Sequence, residues 1–115
     1  VAEGGAVALG SGAGEPSRIR AKVAGGATDV HVLMLHPMET GLRKDDAGDY
    51  VPAHYIKDVR VSVAGRVVLV ARFGRGVSQD PLLHFRFKGG AAGERISVSW
   101  TDNHGGQRTD EALLT

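Results

Sequence analysis

The sequence predicts an all-β domain: an antiparallel, immunoglobulin-like β-sandwich of about seven strands. Three observations carry this expectation. Apolar residues recur at every second position in a series of short runs. Those runs are rich in β-branched and aromatic residues and are bounded by Gly, Pro, Asn and Asp. No stretch shows the 3.6-residue period of an amphipathic helix. A small closed barrel is the alternative architecture.

The first run sets Ile19, Ala21 and Val23 against Arg18, Arg20 and Lys22. That alternation is the signature of a strand with one face in the core and one in water. Asp29 to Leu35 is apolar on both faces, which suits a central strand. Lys57 to Val63 turns Val59, Val61 and Val63 one way. Arg66 to Phe73 does the same with Val67, Leu69, Ala71 and Phe73. Ala64-Gly65 between these two runs predicts a tight hairpin. Leu82 to Lys88 alternates Leu83, Phe85 and Phe87 with His84, Arg86 and Lys88. Arg95 to Thr101 alternates Ile96, Val98 and Trp100 with polar residues, and Trp100 is a core tryptophan on this pattern. Arg108 to Leu114 closes the series. The preceding Asp102-Asn103-His104-Gly105-Gly106 supplies residues that tolerate positive φ.

Val1 to Pro16 reads differently. It is dominated by Gly and Ala, a composition that buries too little apolar surface to offset its ordering entropy. The expected organisation is therefore a flexible tail over 1–16 and one sandwich domain over 17–115. Two connections are long, His36 to Pro52 and Gly74 to Pro81. Long loops in compact domains often carry function.

Composition excludes several functions. The net charge is +1, with 14 Lys and Arg against 13 Asp and Glu. A nucleic-acid binder needs a cationic surplus, so no nucleic-acid partner is expected. No apolar run approaches the roughly 20 residues of a membrane helix, and no membrane association is expected. There is no cysteine. Thiol nucleophiles, disulfides and thiolate metal sites are therefore excluded, and any sulfur chemistry must use a thiol on another chain.

The polar motifs are weak as sites. The chain has five histidines, His31, His36, His54, His84 and His104, and none fall in H-x-H or H-E-x-x-H spacing. A hydrogen-bonded His36 fixing the loop exit before Pro37 is favoured over a ligand. Asp45, Asp46 and Asp49 lack calcium-loop spacing. Gly74-Arg75-Gly76 lacks a third glycine, and a strand follows it rather than a helix. No nucleophile, base and orienter set is present, so no catalytic residue, cofactor or metal is assigned.

Taken in order, certain segments go further. His36-Pro37-Met38-Glu39-Thr40-Gly41-Leu42-Arg43-Lys44-Asp45 is followed by Pro52-Ala53-His54-Tyr55-Ile56. Then come Val77-Ser78, Asp80-Pro81, Phe85-Arg86-Phe87-Lys88-Gly89, Trp100-Thr101-Asp102-Asn103 and Arg108-Thr109-Asp110-Glu111-Ala112. From Ser17 to Leu114 the chain resembles the SoxZ family, the cysteine-free subunit of the SoxYZ carrier of bacterial sulfur and thiosulfate oxidation. The resemblance implies an immunoglobulin-like fold, no catalysis, and a periplasmic heterodimer with SoxY. The SoxY arm cysteine would hold the intermediates covalently and present them to Sox enzymes that dock transiently. It also implies export together with a signal-bearing partner. On this reading the two long connections supply the partner interface, through His36, Met38, Leu42, Arg43, Tyr50, Tyr55, Val77, Leu82 and Leu83. Completion of the core is the alternative role for those residues. A carrier serving another dehydrogenase pathway, a free-standing module that binds protein or carbohydrate, and a histidine-based metalloprotein are the competing functions.

Overall fold

The computed structural model describes residues 9–115, and among them every regular element is a strand. In chain order these are β1 (Leu9–Gly12), β2 (Arg18–Ala24), β3 (Ala27–Leu33), β4 (Ile56–Val63), β5 (Arg66–Arg72), β6 (Leu82–Lys88), β7 (Arg95–Asp102) and β8 (Gln107–Leu113). They form a five-stranded sheet in the order β1-β8-β7-β4-β5 and a three-stranded sheet in the order β2-β3-β6. All pairings are antiparallel. The sandwich predicted from the alternation is therefore what the chain adopts.

The core lies between the sheets. Ile19 and Ala21 from β2, Val30 and Val32 from β3, Val59, Val61 and Val63 from β4, and Ile96, Val98 and Trp100 from β7 are buried. Each set is spaced by two, as a pleated strand with one dry face requires. Ala64 and Gly65 join β4 to β5 with φ of 51° and 82°. Both central residues are thus left-handed, as a twist-matched two-residue hairpin demands.

Two features depart from the sequence reading. Val67 was expected inward with Leu69 and Ala71. A β-bulge between Val61 and Ser62 pairs Val61 with Leu69 but Ser62 with Val67, so Val68 has no partner across the ladder. The extra residue inverts the parity, and Val67 faces solvent.

The second departure is an eighth strand. Leu9–Gly12 lies inside the segment expected to be a tail, and it pairs with β8 in register Gly10 to Asp110 and Gly12 to Arg108. Residues 1–8, the rest of that expectation, lie outside the described residues. The glycines here serve close approach rather than flexibility. A Cβ on Gly10 would overlap Asp110 Oδ1, and one on Gly12 would sit 2.6 Å from Arg108 Cα. Beneath them Arg108 and Asp110 form a buried two-pronged ion pair, Nε to Oδ2 at 2.9 Å and Nη2 to Oδ1 at 3.0 Å. Arg108 Nη1 also donates to the carbonyls of Gly12 and Gly14, and Ser17 N–H donates to Asp110 Oδ2 at 2.8 Å. The charges are thereby paired and hydrogen-bonded, the condition for burying them at tolerable cost.

Candidate functional site

The inward alternation of β7 runs Ile96, Val98, Trp100 and then Asp102. Its last member is a carboxylate at a core-facing position. A second bulge in β4 sets Ile56 opposite Asp102 while Asp58 pairs Thr101. On the other side the chain leaves β3 still extended, so Met34, His36 and Met38 are buried in alternation while Pro37 is exposed. His36 is held there by a reciprocal contact. Its N–H donates to Asp80 Oδ1 at 2.9 Å, and Asp80 N–H donates to its carbonyl at 3.0 Å.

Asp102 gathers the surrounding loops. His36 Nε2 and His54 Nε2 lie 3.1 and 2.9 Å from its Oδ2. Its Oδ1 accepts the backbone N–H of His104 at 3.0 Å and of Gly106 at 2.7 Å. Burial by itself would raise the carboxyl pKa. The bonds from His36, His54, Gly106 and His104 outweigh it and hold the group at about 2. His36 is shifted down, chiefly by burial and further by the nearby His54 and His104, against the opposing pull of Asp102.

The rest of the cluster locks these groups. His54 stacks on His104 with centroids 4.0 Å apart, and His36 meets Trp100 edge-on at 5.2 Å. His104 Nε2 donates to the Ala53 carbonyl at 2.8 Å. Asn103 accepts the Tyr55 N–H through Oδ1 and donates to Ala53 O through Nδ2. Glu39 and His54 exchange backbone hydrogen bonds, and Met38 sulfur accepts the Ile56 N–H. Three sequence segments, around His36, His54 and Asp102, thus close into one clasp.

Two histidines and one carboxylate are also the donor types of a metal centre. The hydrogen bonds of His36 decide the question. Its Nδ1 accepts the Met38 N–H at 3.0 Å and so carries a lone pair. The ring proton of neutral His36 therefore sits on Nε2 and points at Asp102. An Nε2 ligand would need that proton on Nδ1, where it would oppose the Met38 N–H. The residues do not fit a metal ion in this arrangement, and the cluster acts as a hydrogen-bonded fastener.

The residues expected at a partner interface separate into three groups. Leu42, Arg43, Tyr50 and Leu82 are exposed, with Leu42 at 74%, Tyr50 at 63% and Leu82 at 62%. Tyr55, Val77 and Leu83 are half-buried against the core. His36 and Met38, expected in the same interface, are each 4% exposed and so take the alternative role of completing the core. The β3 alternation continues beyond the strand end and turns them inward. The exposed set shares one end of the sandwich. Residues 42–50 form a projecting hairpin, tied by a Lys44–Tyr50 bridge and by Val51 N–H to Arg43 O at 2.8 Å. Asp45 Oδ1 caps its tip by accepting the N–H of Ala47 and Asp49. Arg75, from the other long connection, donates to Thr40 O and lies over the Tyr55 ring.

Sequence reasoning missed the clasp because it examined each histidine alone. The available signal was Asp102, a charge continuing the dry parity of β7.

Fold and clasp together define the class: a cysteine-free, immunoglobulin-like sandwich whose histidine–aspartate cluster is structural. The family model described as "Sulphur oxidation protein SoxZ" matches residues 18–113. The chain belongs to the SoxZ family. A search of curated protein sequences finds no match. Among solved structures, a variant superoxide reductase (neelaredoxin) from Archaeoglobus fulgidus in its reduced form is similar at 22% identity and a TM-score of 0.60, covering 87% of each chain. The superoxide reductase (neelaredoxin) from Ignicoccus hospitalis is similar at 17% identity and a TM-score of 0.53, over 88% of this chain and 81% of that one. At these identities the likeness is one of fold.

Proposed function

We propose that this chain is the non-catalytic subunit of a two-chain periplasmic sulfur carrier, exported with and supporting a SoxY-type partner. The partner's arm cysteine holds the intermediates of thiosulfate oxidation and offers them to enzymes that dock transiently. The observation that carries this reading is the family match over residues 18–113 in a chain with no cysteine. The clasp agrees with it, since its polar groups are spent on holding loops and none is poised as a nucleophile. A division of labour follows physically. A thiol on a mobile arm reaches several active sites only if a rigid body carries it.

The partner surface is assigned to the end of the sandwich that presents Leu42, Arg43, Tyr50 and Leu82, flanked by Tyr55, Val77 and Leu83. Permanent heteromers bury about 2,000 Å² or more in total, with an apolar centre. A projecting hairpin with exposed Leu42 and Tyr50 supplies such a centre without disturbing the core.

Co-expression with SoxY tests both statements. Leu42→Glu and Leu82→Glu together are expected to abolish the heteromer in native mass spectrometry while the thermal midpoint of the isolated chain stays unchanged. An intact heteromer would reject the assigned surface. Thiosulfate turnover by the purified chain alone would reject the function.

A further inference from the structure

The near-neutral net charge of the chain conceals a segregation of charge. The three-stranded sheet turns Ile19, Ala21, Val23 and their counterparts inward, and the opposite parity faces solvent in four cross-strand rows. These are Arg18-Leu33-Leu82, Arg20-His31-His84, Lys22-Asp29-Arg86 and Ala24-Ala27-Lys88. Arg18, Arg20, Lys22, Arg86 and Lys88 are all exposed. Asp29 is the one acid on this face. Its row-mates are Lys22 and Arg86, and its Oδ1 is 2.9 Å from His84 Nε2. Five of the 14 cations and one of the 13 acids of the chain therefore lie here, and the rest of the chain holds nine cations against twelve acids.

We infer that the outer face of the β2-β3-β6 sheet is a docking surface for an acidic protein face that binds and leaves. Its charge density is the argument for transience. Permanent interfaces are depleted of charge at their centre, whereas charged faces steer encounter and dissociate readily. The occupant is a protein rather than a nucleic acid. This face carries no Trp, Tyr or Phe on which bases could stack, and the rest of the molecule is net acidic and repels a polyanion that extends past the patch. At the centre of the face His31 and His84 stack at 3.9 Å across β3 and β6. The guanidinium and ammonium groups of the neighbouring rows flank this pair. This surface meets the hairpin end assigned to the permanent partner at Leu82, in its first row, while the cationic rows Arg20-His31-His84 and Lys22-Asp29-Arg86 hold no residue of that assignment.

The test uses the full chain in the assembly in which it purifies, with a fluorescent peptide of glutamates as probe. Anisotropy is expected to show binding that weakens about tenfold between roughly 50 and 200 mM salt. The Arg20→Gln, Lys22→Gln, Arg86→Gln variant is expected to lose about tenfold in affinity with little change in thermal midpoint. The same neutralisation of Arg60, Arg66 and Arg72, on the other sheet, is expected to change affinity less than about twofold. Equal loss in the two variants would overturn the inference. So would tighter binding of a DNA strand of the same net charge, or hydrogen-exchange protection showing that a permanent subunit already covers β3 and β6.

Discussion

Asp102 receives His36 and His54 on a single carboxylate oxygen, at 3.1 and 2.9 Å. Oδ2 thus ties the exit of β3 to the approach to β4, while Oδ1 of the same carboxylate holds the β7–β8 turn. Replacing Asp102 by Asn keeps the shape but removes the charge that both imidazoles need. The loss of two charge-assisted bonds is expected to cost about 2–3 kcal/mol. For a domain of this size the thermal midpoint then falls by about 10–20 °C. Differential scanning calorimetry checks this, and an unchanged midpoint would show that the clasp contributes nothing.

The same cluster fixes the response to acid. Asp102 titrates at about 2 when folded, below the roughly 3.9 of an unfolded aspartate. Its folded pKa is depressed, so its contribution is complete above the unfolded value and is lost as pH falls from about 5 toward 2. His36 is also depressed, chiefly by burial. The unfolded imidazole takes up its proton first, so this contribution is present above about pH 6.5 and declines below it. Urea midpoints measured against pH should therefore be level above neutrality, fall gently below about 6.5 and fall steeply below about 5. Asp102→Asn should flatten the lower limb, and a profile identical to the wild type would contradict the assignment.

Gly10 is required by close approach. Gly10→Ala pushes a methyl onto Asp110 Oδ1 over the buried ion pair, and is expected to cost about 1–3 kcal/mol. Gly74→Ala, where nothing lies within 4 Å and φ is not positive, is expected to be close to neutral. Chemical denaturation of the two variants side by side separates steric exclusion from loss of flexibility.

Trp100 is 3% exposed and meets His36 edge-on. Trp100→Ala is expected to cost about 3–5 kcal/mol. It should also free the His36 ring, read as broadened imidazole resonances by NMR. Resonances that stay sharp would mean that the hydrogen bonds to Asp102 and Met38 fix the ring without Trp100.

Much of this fold is written in the alternation of the chain. Strands β2 to β8 follow from period two, because each buries one face against the opposite sheet. What alternation could not convey is where the period slips. Val67 was misplaced because the bulge depends on pairing with β4, a property of two strands together. Leu9–Gly12 was misread for a related reason. A glycine that permits contact and a glycine that permits motion look alike in sequence. They differ only in what lies above them, here Asp110 and Arg108. The clasp shows both sides of this. Its three segments each stood out as motifs, yet their convergence on Asp102 depends on strand parity and on loops that cross between sheets. The hairpin carrying Leu42 and Tyr50 was flagged by its length and by the motif that opens it, while the burial of His36 and Met38 needed the extended exit of β3 to be known.

The pairing of β1 with β8 sets the timing of folding. The first strand described finds its neighbour about a hundred residues downstream, and β8 lies between β1 and β7 rather than at a margin. A nascent chain cannot complete this sheet until its last strand has left the ribosome. Searches over such sequence distances place domains in the millisecond-to-second range of folding times.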